Sequence, residues 1–122
     1  MPGKPPFRFK VTSIVAELPV RDVKKAQAYY RKFLGCKIAW TTPDKSVGAV
    51  AWDGLPVFFR RRTRPFEPAV HWIYVKNVDA AHRELSEAGV LISEGLETKP
   101  WSLRQFTVQD LDGNKFHIYH DV

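Results

Sequence analysis

A duplication constrains this chain more than any other feature. The apolar stripe Val23, Ala26, Tyr30, Phe33 returns 55 residues later as Val78, Ala81, Leu85, Ala88, with the same spacing of 3, 4 and 3. Such spacing marks one face of an amphipathic helix. Each stripe follows a capping residue, Asp22 or Asn77, whose side chain can accept a first-turn N–H. Each also stops at a glycine, Gly35 or Gly89, the residue that enters the left-handed conformation at no Cβ cost. Helices are therefore expected from Val23 to about Leu34 and from Val78 to Ala88. An internal repeat is the economical explanation.

Strand patterns surround both helices. Val11 to Val20 alternates ahead of the first. Lys37 to Thr42, Val47 to Trp52 and Leu55 to Arg61 follow it, the last two joined by Asp53-Gly54. Pro65 and Pro68 interrupt the pattern. It then restarts with Val70 to Val75, the second helix, a weak strand from Ile92 to Glu97, and a hairpin from Arg104 to His120 turning at Asp110-Leu111-Asp112-Gly113-Asn114. The expected fold is α+β, with two repeated β-α-β-β-β modules over residues 11–64 and 69–122. Residues 1–10 read as a flexible basic arm ahead of a single domain.

Composition narrows the function classes. With 122 residues and 44% hydrophobic content, the chain suits one compact domain. Its single cysteine, Cys36, permits no intramolecular disulfide, and no apolar run is long enough to span a membrane; a cytoplasmic protein is expected. The net charge of +6 is partly gathered at Arg60, Arg61, Arg62 and Arg64. No zinc-finger spacing, helix-turn-helix pattern or RNP-like strand accompanies it, so a nucleic-acid partner is not expected. Ser13, Ser46, Ser86, Ser93 and Ser102 lack a nucleophile elbow, and there is no glycine-rich phosphate loop. No catalytic residue is assigned.

Several segments together carry a family resemblance: Val20-Arg21-Asp22-Val23 leading to Tyr29-Tyr30-Arg31-Lys32-Phe33-Leu34-Gly35, then Val78-Asp79-Ala80-Ala81, Pro100-Trp101 and Asp110 to Asn114. Their order, spacing and duplication resemble the glyoxalase/bleomycin-resistance/dioxygenase group of the vicinal oxygen chelate superfamily. The resemblance implies paired modules whose sheets curl around a cleft, commonly completed across a homodimer, with helices outside. Metal enzymes of that family take one ligand from the first and one from the last strand of each module, usually His or Gln with Glu. The matching positions here are Val15, Phe58, Val70 and His117. Only His117 can bind a metal, which needs three or more N, O or S donors, so neither metal nor other cofactor is expected. A register shifted by one residue would bring in His71, and Glu17 is the other replacement.

Strand alternation separates core from cleft. Ala16, Leu18, Val20, His71, Ile73, Val75, Phe116 and Ile118 share the helix-facing parity. Glu17, Phe58, Arg60, Trp72, Tyr74, His117 and Tyr119 take the other, with Trp101 in the loop before the hairpin; these eight are the expected ligand-binding residues. Trp40 and Trp52 are candidates to join them. Glu17 and Arg60 are either a structural ion pair or separate recognition groups. The resulting expectation is a bleomycin-resistance-like homodimer that sequesters a small aromatic ligand without metal. The alternative is a metal-dependent lyase, isomerase or dioxygenase of the same superfamily. A strongly basic chain suits a neutral or anionic ligand better than a cationic drug.

Overall fold

The computed structural model describes residue 3 and residues 6–122. Its elements are β1 (Ala16–Val20), α1 (Val23–Leu34), β2 (Lys37–Thr41), β3 (Val47–Trp52), β4 (Leu55–Arg61), β5 (Val70–Tyr74), α2 (Val78–Glu87), β6 (Leu91–Thr98), β7 (Leu103–Gln109) and β8 (Lys115–Asp121). They form two four-stranded sheets of identical topology, β1-β4-β3-β2 and β5-β8-β7-β6. In each, the first and last strands pair in parallel and the other ladders are antiparallel. The duplication extends to a defect: the register shifts between Ile38 and Trp40 in β2, and again between Ile92 and Glu94 in β6. The arm expected over residues 1–10 lies partly outside the described residues.

Both helix starts follow the sequence chemistry. Asp22 accepts the Lys25 N–H at 2.9 Å and Asn77 accepts the Ala80 N–H at 3.0 Å. Gly35 closes α1 in the left-handed region, at φ 70°. Gly48 shows why β3 carries a glycine beneath α1: a Cβ there would meet Val23 Cγ1 at 2.5 Å and Gln27 Nε2 at 2.8 Å. Gln27, wholly buried, uses that Nε2 to donate to the carbonyls of Trp40 and Ala49, and so ties the helix to β2 and β3.

The first strand is shorter than the expected Val11 to Val20. Arg62 N–H donates to the Val20 carbonyl at 2.8 Å, so alternate residues of β4 aim their N–H at β1. Counting back along that alternation, the donor position beyond Phe58 is Pro56, which has no N–H. The parallel ladder therefore begins at the Ala16–Val57 pair, and Val15 precedes the strand.

One apolar core serves both modules. Leu18, Val20, Tyr30, Val50 and Phe59 from the first join Val78, Phe106, Val108, Phe116 and Ile118 from the second. Tyr30 packs edge-on against both Phe59 and Phe116, and Trp52 lies 5.5 Å from Phe116 between ring centroids. Trp52 thus packs, partly buried, on the helix side of its sheet, which takes it off the Phe58 face where it was a candidate. Its parity matches Val50, not Phe58.

The turn at Asp110–Asn114 joins the modules through buried polar contacts. Asp110 Oδ1 accepts the N–H groups of Asp112 and Asn114, and Oδ2 accepts the Tyr30 hydroxyl at 2.6 Å and Asn114 Nδ2 at 3.2 Å. Asn114 also donates to the Pro19 carbonyl and accepts the Ala69 N–H, while Asp112 accepts the Arg21 N–H and its guanidinium. Burial pushes the Asp110 carboxyl up from its ordinary value and pushes the Tyr30 hydroxyl well up. Two of the partners lie some ninety residues away in sequence, so this turn fixes how the modules meet.

Cys36 is buried, and burial first, with the Asp53 charge second, pushes its thiol from 9.0 up to about 12. The unfolded chain then loses this proton at lower pH than the folded one. Stability carried by the thiol is intact below about pH 9 and declines as pH rises toward 12. We expect Cys36 to resist a disulfide reagent at pH 8 until denaturant is added; labelling of the native protein at the rate of a free thiol would contradict this placement.

Candidate functional site

Because both sheets turn the same kind of face to the shared core, their opposite faces point outward. On the second sheet that outer face is built in rows. Trp72, His117, Thr107 and Glu94 stand directly opposite one another across β5, β8, β7 and β6. The next row is Tyr74, Tyr119, Gln105 and Glu97. Trp72 lies over His117 at 4.5 Å, and Tyr119 meets Trp72 and Tyr74 edge-on at 5.6 Å each. Trp72 and Tyr74 remain 51% and 57% exposed. Large aromatic surface left uncovered in a contiguous patch is costly in water and marks a surface that takes a ligand or partner.

Trp101, in the turn before β7, reaches this face through its indole N–H, which donates to Gln105 Oε1 at 2.9 Å. The Lys99 ammonium sits 5.7 Å above its ring. Gln105, itself buried, is a member of the site that sequence reading missed.

The first sheet carries the corresponding row of Glu17, Phe58, Ala49 and Trp40. Trp40 packs edge-on against Phe58 at 5.1 Å, which brings Trp40 onto this face. Arg60 Nε donates to Glu17 Oε1 at 3.0 Å, and Nη2 forms an ion pair with the same oxygen at 3.0 Å. Of the two readings held open for these residues, the ion pair is the one seen. Hydrogen bonding to Glu17 pushes the guanidinium up from its ordinary value, and both groups are solvent-exposed, so the pair adds little stability.

The eight residues expected to bind a ligand therefore divide between two faces. Trp72, Tyr74, Trp101, His117 and Tyr119 belong to the second sheet, and Glu17, Phe58 and Arg60 to the first. A groove of about 1090 Å³ opens between the modules, lined by Val15, Glu17, Trp72 and Tyr74 and, from the helix side of the sheets, by Trp52 and Ile73. His117, Tyr119, Phe58, Arg60 and Trp101 are not part of that lining.

The four positions matched to metal ligands hold Val15, Phe58, Val70 and His117, and their chemistry does not fit a divalent metal. Among the described residues no three His, Cys, Asp or Glu side chains come together. His71 lies on the helix side of β5 against Phe116, with Nδ1 buried, so it does not replace Val70. The acidic group beside His117 is Glu94, with Oε2 3.9 Å from Nδ1, and among the described residues no third His, Cys, Asp or Glu joins them.

The family model described as the Glyoxalase/Bleomycin resistance protein/Dioxygenase superfamily matches residues 11–118. The chain belongs to that superfamily. Among solved structures, this superfamily member is similar to TioX from Micromonospora sp. ML1, at 24% identity and TM-score 0.75, over 92% of this chain and all of TioX. It is also similar to a glyoxalase/bleomycin resistance protein/dioxygenase from Alicyclobacillus acidocaldarius, at 18% identity and TM-score 0.75, covering 88% and 89% of the two chains. One from Nocardioides shares 13% identity at TM-score 0.77, covering 96% and 87%. No curated protein sequence matches this superfamily member. Its described residues include no helix long and apolar enough to cross a membrane.

Proposed function

We propose that two copies of this superfamily member assemble a cleft that holds a small planar aromatic molecule without a metal ion. The observation that carries the reading is the exposed aromatic row of the second sheet, facing away from the core of its own chain. A single chain cannot close that face with its first sheet, because both sheets already spend their helix-facing sides on one core. A second copy would set the Glu17–Phe58 face of one chain against the Trp72–His117 face of the other, a pairing that two-fold symmetry repeats to give two clefts. Modules over residues 11–64 and 69–122 would then contribute one wall each.

The ligand contacts would be aromatic stacking on Trp72, Tyr74, Tyr119 and Phe58, worth about 0.5–1.5 kcal/mol per pair beyond burial, with a polar contact from His117 and a ring contact from Trp101. Arg60 is held by Glu17, so the pair presents an edge of small net charge, and with the chain at +6 a neutral or anionic ligand fits best. Binding and sequestration need no Lewis acid. The metal-dependent alternative needs a third strong ligand beside Glu94 and His117, and among the described residues no further His, Cys, Asp or Glu joins them.

Titration with a varied panel of planar aromatic compounds, read by tryptophan fluorescence and melting temperature, tests the reading. At least one class is expected to quench fluorescence and raise the melting temperature, while nickel, zinc, manganese and iron leave it unchanged in tag-free protein. A stoichiometric divalent metal, or no response to any compound, would overturn it.

A further inference from the structure

We infer that Glu94 and Thr107 are positioning residues that fix the His117 imidazole as its Nδ1–H tautomer, leaving Nε2 as a hydrogen-bond acceptor beside Trp72 for an aromatic ligand bearing a hydroxyl group. The ligand half of this statement rests on the aromatic-binding reading above; the tautomer half stands on geometry alone.

Thr107 Oγ1 lies 2.7 Å from Glu94 Oε2 and 2.7 Å from His117 Nδ1. A threonine hydroxyl has one proton to give, and a carboxylate can only accept. The proton therefore goes to Glu94, and the hydroxyl oxygen must accept from His117, which requires a proton on Nδ1. The opposite arrangement, with Thr107 donating to the imidazole, would leave two oxygens 2.7 Å apart with no proton between them. The hydrogen bond from Thr107 is also the largest influence holding the Glu94 carboxyl below its ordinary value, as an ionised acceptor demands.

The three residues stand in one cross-strand row, and Thr107 is 1% exposed beneath its neighbours, so water does not compete for the hydroxyl. Nε2 is left over. Among the described residues it has no hydrogen-bond partner, and it is not among the buried unpaired atoms; the His117 side chain is 20% exposed. An imidazole whose remaining lone pair opens beside an exposed indole suits a planar ring with an O–H in or near the ring plane. This is selectivity by a polar partner, in which a ligand lacking the donor leaves the nitrogen desolvated and unpaired.

Long-range proton–nitrogen correlation of the 15N-labelled full chain without ligand, at a pH where the imidazole is neutral and with His117→Gln for assignment, reads the tautomer directly. The Nδ1–H pattern is expected in the wild type and in Thr107→Ser, and the Nε2–H form, favoured by an unconstrained histidine side chain, in Thr107→Val. An Nε2–H wild type would overturn the assignment. The ligand half is read with 1-naphthol, 2-naphthol and 4-hydroxybiphenyl against their methyl ethers, by fluorescence titration. We expect the hydroxyl compounds to bind about tenfold more tightly than the ethers, with the preference kept in Thr107→Ser and lost in Thr107→Val. Equal affinities would overturn the choice of ligand class while the aromatic-binding reading survives. Failure of every compound to bind would overturn both that reading and this ligand class, leaving only the tautomer.

Discussion

Replacement of Asp110 by alanine is expected to destabilise the fold by about 3–5 kcal/mol, since each buried donor left without an acceptor costs about 1–3 kcal/mol and several are stranded together. The carboxylate accepts four hydrogen bonds, from the Tyr30 hydroxyl, the Asn114 amide and two backbone N–H groups. Alanine would leave these donors in a site where Asp112 and Asn114 are themselves 3% and 0% exposed. The damage would spread, since Asn114 holds the Pro19 carbonyl and the Ala69 N–H. For a domain of this size the melting temperature should fall by roughly 10–20 °C. Asp110→Asn keeps one acceptor oxygen and should cost about half as much. Urea unfolding followed by tryptophan fluorescence measures both; a loss below about 1 kcal/mol for alanine, the usual net worth of a single hydrogen bond, would show that the turn is not the joint between the modules.

The second large effect concerns function. Trp72→Ala should weaken binding of the aromatic ligand by about 10- to 100-fold, the consequence of removing a stacking indole worth about 1.4–2.8 kcal/mol. Stability should change by less than about 1 kcal/mol, as for surface positions outside the core, because the indole is half exposed and absent from the core cluster. Isothermal titration paired with urea unfolding separates the two quantities. Affinity unchanged by the substitution would remove the aromatic row from the site.

Much of this architecture was legible because local chemistry and global fold agree. The caps at Asp22 and Asn77, the glycine stops and the 3-4-3 stripes located both helices, and alternation assigned faces correctly along β1, β4, β5 and β8. Alternation failed where the strands bulge. Glu94 shares parity with Ile92, which assigns it to the helix side, and the register shift between them puts it opposite Thr107 instead. A carboxylate at a nominal core position was the available signal, since an unpaired charge is not buried there without compensation. Thr107 and Gln105 escaped notice for another reason: both are buried on the outer face, so neither looks like a site residue until its cross-strand neighbours are known. Trp52 was the opposite case, an aromatic whose strand position matches the core side. The Glu17–Arg60 contact could be foreseen as a pairing, but only coordinates choose it over two separate groups. How two chains would meet has no signature in one sequence, because surfaces that would meet are described equally well as exposed strand faces.

Subunit complementation tests the shared cleft most directly. Phe58→Ala spoils the first-sheet wall and Trp72→Ala the second, so each variant alone is expected to bind ligand weakly. If every cleft takes one wall from each of two chains, a heterodimer of the two variants contains one cleft with both walls spoiled and one with both intact. Random reassociation of an equimolar mixture should then restore wild-type affinity at about a quarter of the sites. Titration of the mixture with a bound aromatic compound would show that fraction; a mixture that binds no better than either variant alone would contradict a cleft shared between chains.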